Sequence, residues 1–233
     1  MEFFQEIIIL VILIIFQSTF GVGLLLFGTP TFLYFDYSFS ETLYLLLPIS
    51  FIISLIQFVK SEEKQKSFIY NFNIFTLPSL TLSLVIILYF QELLNLKIFI
   101  SIMLIVLSIA SIDKNRFNKI LSKNINKNIF LIFLGLIHGF TNLGGGFLAL
   151  YSNIVVKKNK NLTRYYISYG YLIMVFVQLI ILFTLYREDF NFVKLLYIFL
   201  AVIIYFPSQL IYNRIDQNKF STIIRLIAIF YGF

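Results

Sequence analysis

The sequence predicts an all-α, polytopic helical membrane protein built from two repeats, each carrying a segment broken by glycine or proline. Three observations predict it. The chain has 233 residues, of which 60% are hydrophobic and 12% charged, and its mean hydropathy is +0.92. Apolar runs of about 20 residues, enough for a helix to cross a bilayer, recur from end to end. Landmarks of the first half also return in the same order in the second.

Phe3 to Phe35 is longer than one crossing needs. It is interrupted at Gly21, Gly23 and Gly28-Thr29-Pro30-Thr31, where Pro30 withholds a ladder hydrogen bond. Glu2 and Glu6 stand where a cleavable leader would carry Lys or Arg, so this block is expected to stay in the mature chain. Glu41 to Val59 reads as one span, with Pro48 and Ser50 near its middle and Gln57 near its end. After the charged loop Lys60 to Ser67 comes Phe68 to Phe90, where Pro78 is expected to kink the helix or start a new half. Ile98 to Ile112 spans again beyond the turn Gln91 to Lys97, and the polar stretch 113–128, with five basic residues, is the natural midpoint.

The second half opens with Ile129 to Val156, interrupted at Asn142-Leu143-Gly144-Gly145-Gly146. A basic loop, Lys157 to Arg164, precedes the span Tyr165 to Tyr186, and Arg164 at its edge reads first as an interfacial anchor and second as a group that attracts an anion. The turn Arg187 to Asn191 leads to Phe192 to Tyr212, broken at Pro207, and a polar link leads to a short last helix, Phe220 to Phe233. The chain is thus read as a single membrane domain, 1–233: repeat 1 is 1–112, the connecting loop is 113–128 and repeat 2 is 129–233. Gly23-xxxx-Gly28 runs beside Gly139-xxxx-Gly144, Ser50 to Gln57 beside Tyr171 to Gln178, and Pro78-Ser79 beside Pro207-Ser208.

Loop charges weigh two topologies. If each broken block crosses once, the chain makes seven or eight crossings and its basic residues divide almost evenly between the two sides. If each block enters and leaves on one side as two half-helices, nearly all basic residues share a side, as the positive-inside rule expects. Re-entrant half-helices then leave three full spans per half, and the halves are inverted.

Composition also removes function classes. Without cysteine there is no disulfide, thiolate metal site or persulfide chemistry. One histidine makes no metal cluster, no Gly-Lys-Ser/Thr follows the glycines to cradle a nucleotide, and the apolar part holds no paired carboxylates. The chain is therefore not expected to be an enzyme or to carry a cofactor. Its net charge of +7 sits in short loops, where it sets orientation rather than binding nucleic acid. Every acidic residue falls in a loop or at a segment end, which argues against a cation pathway and for an anion or a neutral solute.

Broken helices present free N–H groups at half-helix N-termini, which suit an oxyanion. Gly144, Gly145, Gly146 and Gly28 are the expected substrate-binding backbone positions; Thr29, Thr31 and Asn142 add side-chain donors, and Gln57 and Gln178 either line the approach or bond between helices or at the membrane interface. His138 is the candidate for proton coupling, the alternative being a hydrogen bond between helices. Pro30, Pro78 and Pro207 are expected helix breaks, with Ser79 and Ser208 bonding to freed carbonyls. Gly135-xxx-Gly139 is expected to pack closely against a neighbouring helix.

On these residues the chain resembles the TauE/SafE family of membrane proteins, associated with export or uptake of sulfite and organosulfonates. Each half in that family opens with a segment of the form G-x-x-G-x-G-G-G. Gly139, Gly144, Gly145 and Gly146, continuing Phe147-Leu148, match it in the second half, whereas the first half has Gly28-Thr29-Pro30. Glu92-Leu93-Leu94 and the stretch Phe220 to Arg225 are further similar features, and the resemblance covers nearly the whole length. It implies a secondary transporter or permease in a bacterial cytoplasmic (inner) membrane. The expected partners are the lipid bilayer and a small anionic solute, a sulfur oxyanion or organosulfonate such as sulfite. A non-transporting scaffold or a subunit of a larger membrane system is the alternative, and the residues leave direction, coupling ion and oligomeric state open.

Overall fold

The computed structural model describes residues 3–91, 93–112, 124–156, 159–216, and 219, 220, 222, 223 and 226. These residues are mostly helical: α1 Phe3–Phe20, α2 Leu24–Tyr34, α3 Phe39–Val59, α4 Lys66–Phe90, α5 Leu96–Ile112, α6 Asn124–Thr141, α7 Gly144–Val155, α8 Lys160–Leu185 and α9 Tyr197–Arg214, with short 3-10 turns at Arg187–Asp189 and Phe192–Leu196. Five stretches are long and apolar enough to cross a membrane: α1, α3, α4, α8 and Phe192–Arg214. Large apolar side chains line the outside, as with Phe199, Ile203, Phe206 and Leu210 along one face of α9, while Gln17, Thr29, His138, Asn142 and Gln178 are fully buried. An apolar exterior around polar interior groups is the arrangement a bilayer demands, and the protein is a polytopic helical membrane protein. Glu92, the loop 113–123 and most of the expected last helix, with Arg225, lie outside the described residues.

Both broken blocks fold back on themselves. In the first, Phe16 of α1 meets Phe27 of α2 edge-on at 5.9 Å, and Glu6 near the start of α1 bonds to Tyr37 just beyond the end of α2. In the second, Phe130 stacks on Tyr151 at 5.7 Å, Phe133 meets Phe147 at 5.7 Å, and His138 lies against Gly144. Each is a hairpin of a long and a short helix. At 18 residues, α1 and α6 run ~27 Å each, whereas α2 and α7, at 11 and 12 residues, run ~16–18 Å.

The turns are built alike. Gly21 (φ +78°) and Asn142 (φ +62°) each follow a long helix in the left-handed conformation, and each amide closes the last turn, Gly21 N to Gln17 O at 2.8 Å and Asn142 N to His138 O at 2.7 Å. Phe20 and Thr141, Gly21 and Asn142, and Gln57 and Gln178 are separated by one constant interval. The backbone match therefore differs from the expected pairing of Gly28 with Gly144. Gly28 lies inside α2, and the first break is at residues 21–23.

The hairpins point in opposite senses. The open end of the first lies beside Lys97, which bonds to Asp36 at 2.7 Å, and beside Asp189, which accepts from Ser40. The open end of the second lies beside the loop after α3, through Phe68 against Tyr151 and Asn159 against Glu63. Between them α3 and α8 run antiparallel, with ring pairs Tyr44–Phe183, Phe51–Phe176 and Phe58–Tyr165 along their length. Each long hairpin helix packs on a helix of the other half, α6 on α4 and α1 on α9.

The α4–α6 contact uses the small residues as expected. A Cβ at Gly135 would overlap Ser79 Oγ and the Thr76 carbonyl, and one at Gly139 would overlap Ser83 Oγ.

The expected breaks at Pro30, Pro78 and Pro207 are corrected by the structure, since α2, α4 and α9 run through them. Each proline is followed by a hydroxyl residue that donates to its own i−4 carbonyl: Thr31 to Phe27 O at 2.7 Å, Ser79 to Phe75 O at 3.0 Å and Ser208 to Ile204 O at 2.8 Å. These carbonyls neighbour the ones that proline frees. The extra donor and the surrounding packing hold the turn that is one bond short.

Candidate functional site

The two hairpin tips lie inside the helix bundle, and each is held by polar side chains. At the second tip, Asn142 Nδ2 donates to Thr29 Oγ1 at 2.9 Å and Gln178 Nε2 to Asn142 Oδ1 at 3.3 Å. His138 Nε2 stands 3.1 Å from Gln178 Oε1. Because the Gln178 amide is turned with its nitrogen to Asn142, its oxygen accepts from His138 Nε2–H, so His138 Nδ1 is a bare acceptor, and it has no partner. All four side chains are fully buried, and they tie α2, α6, the second break and α8 together.

The glycine triplet opens α7, where the first amides have no carbonyl one turn back to bond, while Gly146 N reaches Leu143 O at 3.1 Å. Each glycine also faces a neighbour that leaves no room for a Cβ: His138 at Gly144, the Tyr171 hydroxyl at Gly145 and Leu107 at Gly146. The Tyr171 hydroxyl, itself unpartnered and buried, covers the first turn of α7.

The first tip is held differently. Gln17 Nε2 donates to Ser50 Oγ at 2.8 Å and to Ser54 Oγ at 3.2 Å. The last carbonyls of α1 are capped from three other helices: Gln57 Nε2 reaches Gln17 O at 2.9 Å, and Arg164 Nη2 reaches Ser18 O at 2.7 Å. Gln209 Nε2 reaches Ser18 O at 3.1 Å and its Oε1 accepts from Arg164 Nη1 at 2.9 Å. Arg164 also lies 4.1 Å from the centre of the Tyr212 ring. It is not an interfacial anchor: the guanidinium turns inward and caps α1, where the negative helix end attracts it.

The structure therefore brings Thr29, His138, Asn142, Gln178 and Gly144 to Gly146 to one tip and sends Gln57 to the other. Gly28 and Thr31 reach neither. Gly28 packs under Leu46 and Leu13, and Thr31 bonds within α2. Gln17, Tyr171 and Gln209 were missed as site residues and Arg164 was read first as an anchor, although Gln17 and Gln209 are amides inside apolar runs, a signal as strong as the one at Gln57.

A cavity opens at each end of the α3–α8 pair. The larger, about 1050 Å³, is lined by Tyr37, Ser40, Glu41, Lys97, Arg187 and Asp189 among others. Its rim carries charges of both signs, and beside it the Lys97 ammonium, by hydrogen bond and then by charge, holds the Asp36 carboxyl below the usual carboxylate range, while burial and the Glu6 carboxylate push the Tyr37 phenol up. The smaller, about 420 Å³, is lined by Gln57, Lys60, Arg164, Tyr205, Gln209 and Tyr212 with their neighbours. Lys60, Lys64, Lys66, Lys127, Lys160 and Arg214 gather at this second end. Between the cavities the core is closed by Ile53, Met174 and Val175, all fully buried.

Among the described residues, no three His, Cys, Asp or Glu side chains come together as a metal site would require. Searches of curated proteins and of solved structures return no match. The model of the family described as "Sulfite exporter TauE/SafE" matches residues 7–233, nearly the whole chain, and the chain belongs to that family of transporters.

Proposed function

We propose that the protein is a secondary carrier or facilitator that moves a small anion, a sulfur oxyanion or organosulfonate such as sulfite, across the cytoplasmic membrane. The observation that carries this reading is the pair of hairpins of opposite sense, whose polar tips lie inside an apolar bundle between two cavities. Interrupted helices at matching places in two inverted halves are how carriers build a site at mid-membrane. In this reading 1–112 and 129–233 act as the two halves and rock about the antiparallel pair α3 and α8.

The tips offer N–H and hydroxyl donors and no carboxylate, which suits an anion that must shed its water. The first-turn amides of Gly144, Gly145 and Gly146, with Asn142 and Thr29, act as donors at the second tip once the Tyr171 hydroxyl swings away. Gln178 and Gln57 line the path to the two tips. His138 Nδ1 is the proton acceptor beside that site, and the basic end of the molecule faces the cytoplasm by the positive-inside rule.

The test is flux of labelled sulfite, thiosulfate and a small sulfonate into proteoliposomes, with the native chain and with Asn142→Ala. Flux of at least one anion, falling tenfold or more in the folded variant, is expected. Absence of flux for every anion in folded native protein would contradict the carrier reading and favour a scaffold.

A further inference from the structure

Three side-chain donors converge on Ser18 O at the inner end of α1. Arg164 Nη2 stands at 2.7 Å, Gln209 Nε2 at 3.1 Å and Gln57 Nε2 at 3.2 Å, each from a different helix. Gln57 Nε2 also reaches Gln17 O at 2.9 Å and Gln209 Nε2 reaches Tyr205 O at 3.3 Å, so both amides keep a partner if they leave Ser18 O. Arg164 Nε is buried and has no partner, and among the described residues no carboxylate stands within ion-pair distance of its guanidinium. Leaving a guanidinium this enclosed without a counter-ion is unfavourable unless something supplies the charge.

The same side chains face the smaller cavity, about 420 Å³, which has room for a small oxyanion and some of its water. Gln57 lines it too, is only 5% exposed, and leaves its Oε1 without a partner. The cavity lining also carries Lys60, Glu62 and Glu63, of which Glu63 accepts from Asn159 Nδ2 at 3.3 Å.

We propose that this cavity is a binding site for a small oxyanion of the sulfonate or hydrogen-sulfite class, with Arg164 as its principal ligand and Gln209 beside it. Arg164 suits the task because its planar fork grips two oxygens at once. Gln57 Oε1 is placed to accept a hydrogen from an anion that still carries one. Binding draws Arg164 and Gln209 off Ser18 O, so the negative end of α1 loses its cap and the first hairpin tip is released as the cavity fills. The repeat match puts Leu43 at the place of Arg164 in α3, so the second tip has no such site. This assignment rests on the carrier reading and names the site of first capture.

Calorimetric titration of the purified full chain in detergent with sulfite and with methanesulfonate tests it. Arg164→Gln is expected to weaken binding tenfold or more. Arg164→Lys, which keeps the charge and loses the fork, is expected to weaken it at least threefold, and Gln209→Ala likewise. Lys97→Gln at the opposite end serves as a control and leaves affinity unchanged. If Arg164→Gln does not fold, Arg164→Lys and Gln209→Ala decide. Native affinity in folded Arg164 variants, with sulfite flux intact in the native chain, would overturn this site and spare the carrier reading. No binding and no flux of either anion by the native chain would overturn both.

Discussion

The two hairpin tips share a backbone and differ in chemistry. Both end a long helix with a left-handed residue, Gly21 in one and Asn142 in the other, and both turn back into a short helix. The first tip is capped by a guanidinium from the other half and borders an open cavity, whereas the second is a sealed chain of uncharged side chains under Tyr171. One backbone geometry, used twice with the hairpins in opposite sense, thus carries a charged cap at one tip and an uncharged, closed one at the other. Backbone need, rather than side-chain chemistry, is what the two breaks hold in common.

Gly145→Ala should break the second tip most severely. Its methyl would overlap the Tyr171 hydroxyl and ring, and we expect a loss of ~1–3 kcal/mol of stability, read as a lower unfolding temperature in detergent. The counterpart at the first tip, Gly21→Ala, meets the Ile167 side chain at 3.2 Å and Gln57 Oε1 at an ordinary 3.6 Å, so its cost is chiefly the left-handed penalty of ~1–2 kcal/mol.

Asn142 separates backbone from amide. Asn142→Gly keeps the left-handed turn, so it should be more stable than Asn142→Ala by about 1 kcal/mol, while both lose flux because neither reaches Thr29 or Gln178. Equal unfolding temperatures would show that the turn is not under the strain described here. His138→Gln should retain sulfite flux within about threefold, the scale of one lost neutral hydrogen bond, and should flatten its dependence on pH. A pH profile identical to native would remove His138 from proton coupling. The smallest effect belongs to Gly21→Asn, which copies the second tip into the first and should shift stability by only ~0.5 kcal/mol, since asparagine tolerates this conformation.

Much of this was legible in the chain. Gly21, Gly23 and the Asn142 to Gly144 stretch marked both breaks, because glycine and asparagine are the residues that enter left-handed backbone cheaply. Gly135-xxx-Gly139 announced the α4–α6 contact. The prolines misled because hydropathy says nothing about the neighbours that steady a helix, and Thr31, Ser79 and Ser208 each add a donor at the carbonyl next to the one that proline frees. Gln57 and Gln178 occupy equivalent places and so read as one site, yet the opposed hairpins send them to opposite tips. Arg164 was misplaced for a related reason. Its position at the edge of an apolar run fixes its depth, while its direction depends on α1 and α9, which are distant in sequence.

Sided labelling of single cysteines tests the opposed hairpins most directly, and the chain has no native cysteine to interfere. The account predicts that Lys127→Cys and Asn161→Cys, flanking the second hairpin, are labelled by an impermeant maleimide from one face of the membrane, and Phe4→Cys and Asp36→Cys, flanking the first, from the other. Labelling of Lys127→Cys and Asn161→Cys from opposite faces would contradict it, because the second block would then cross the bilayer instead of turning back.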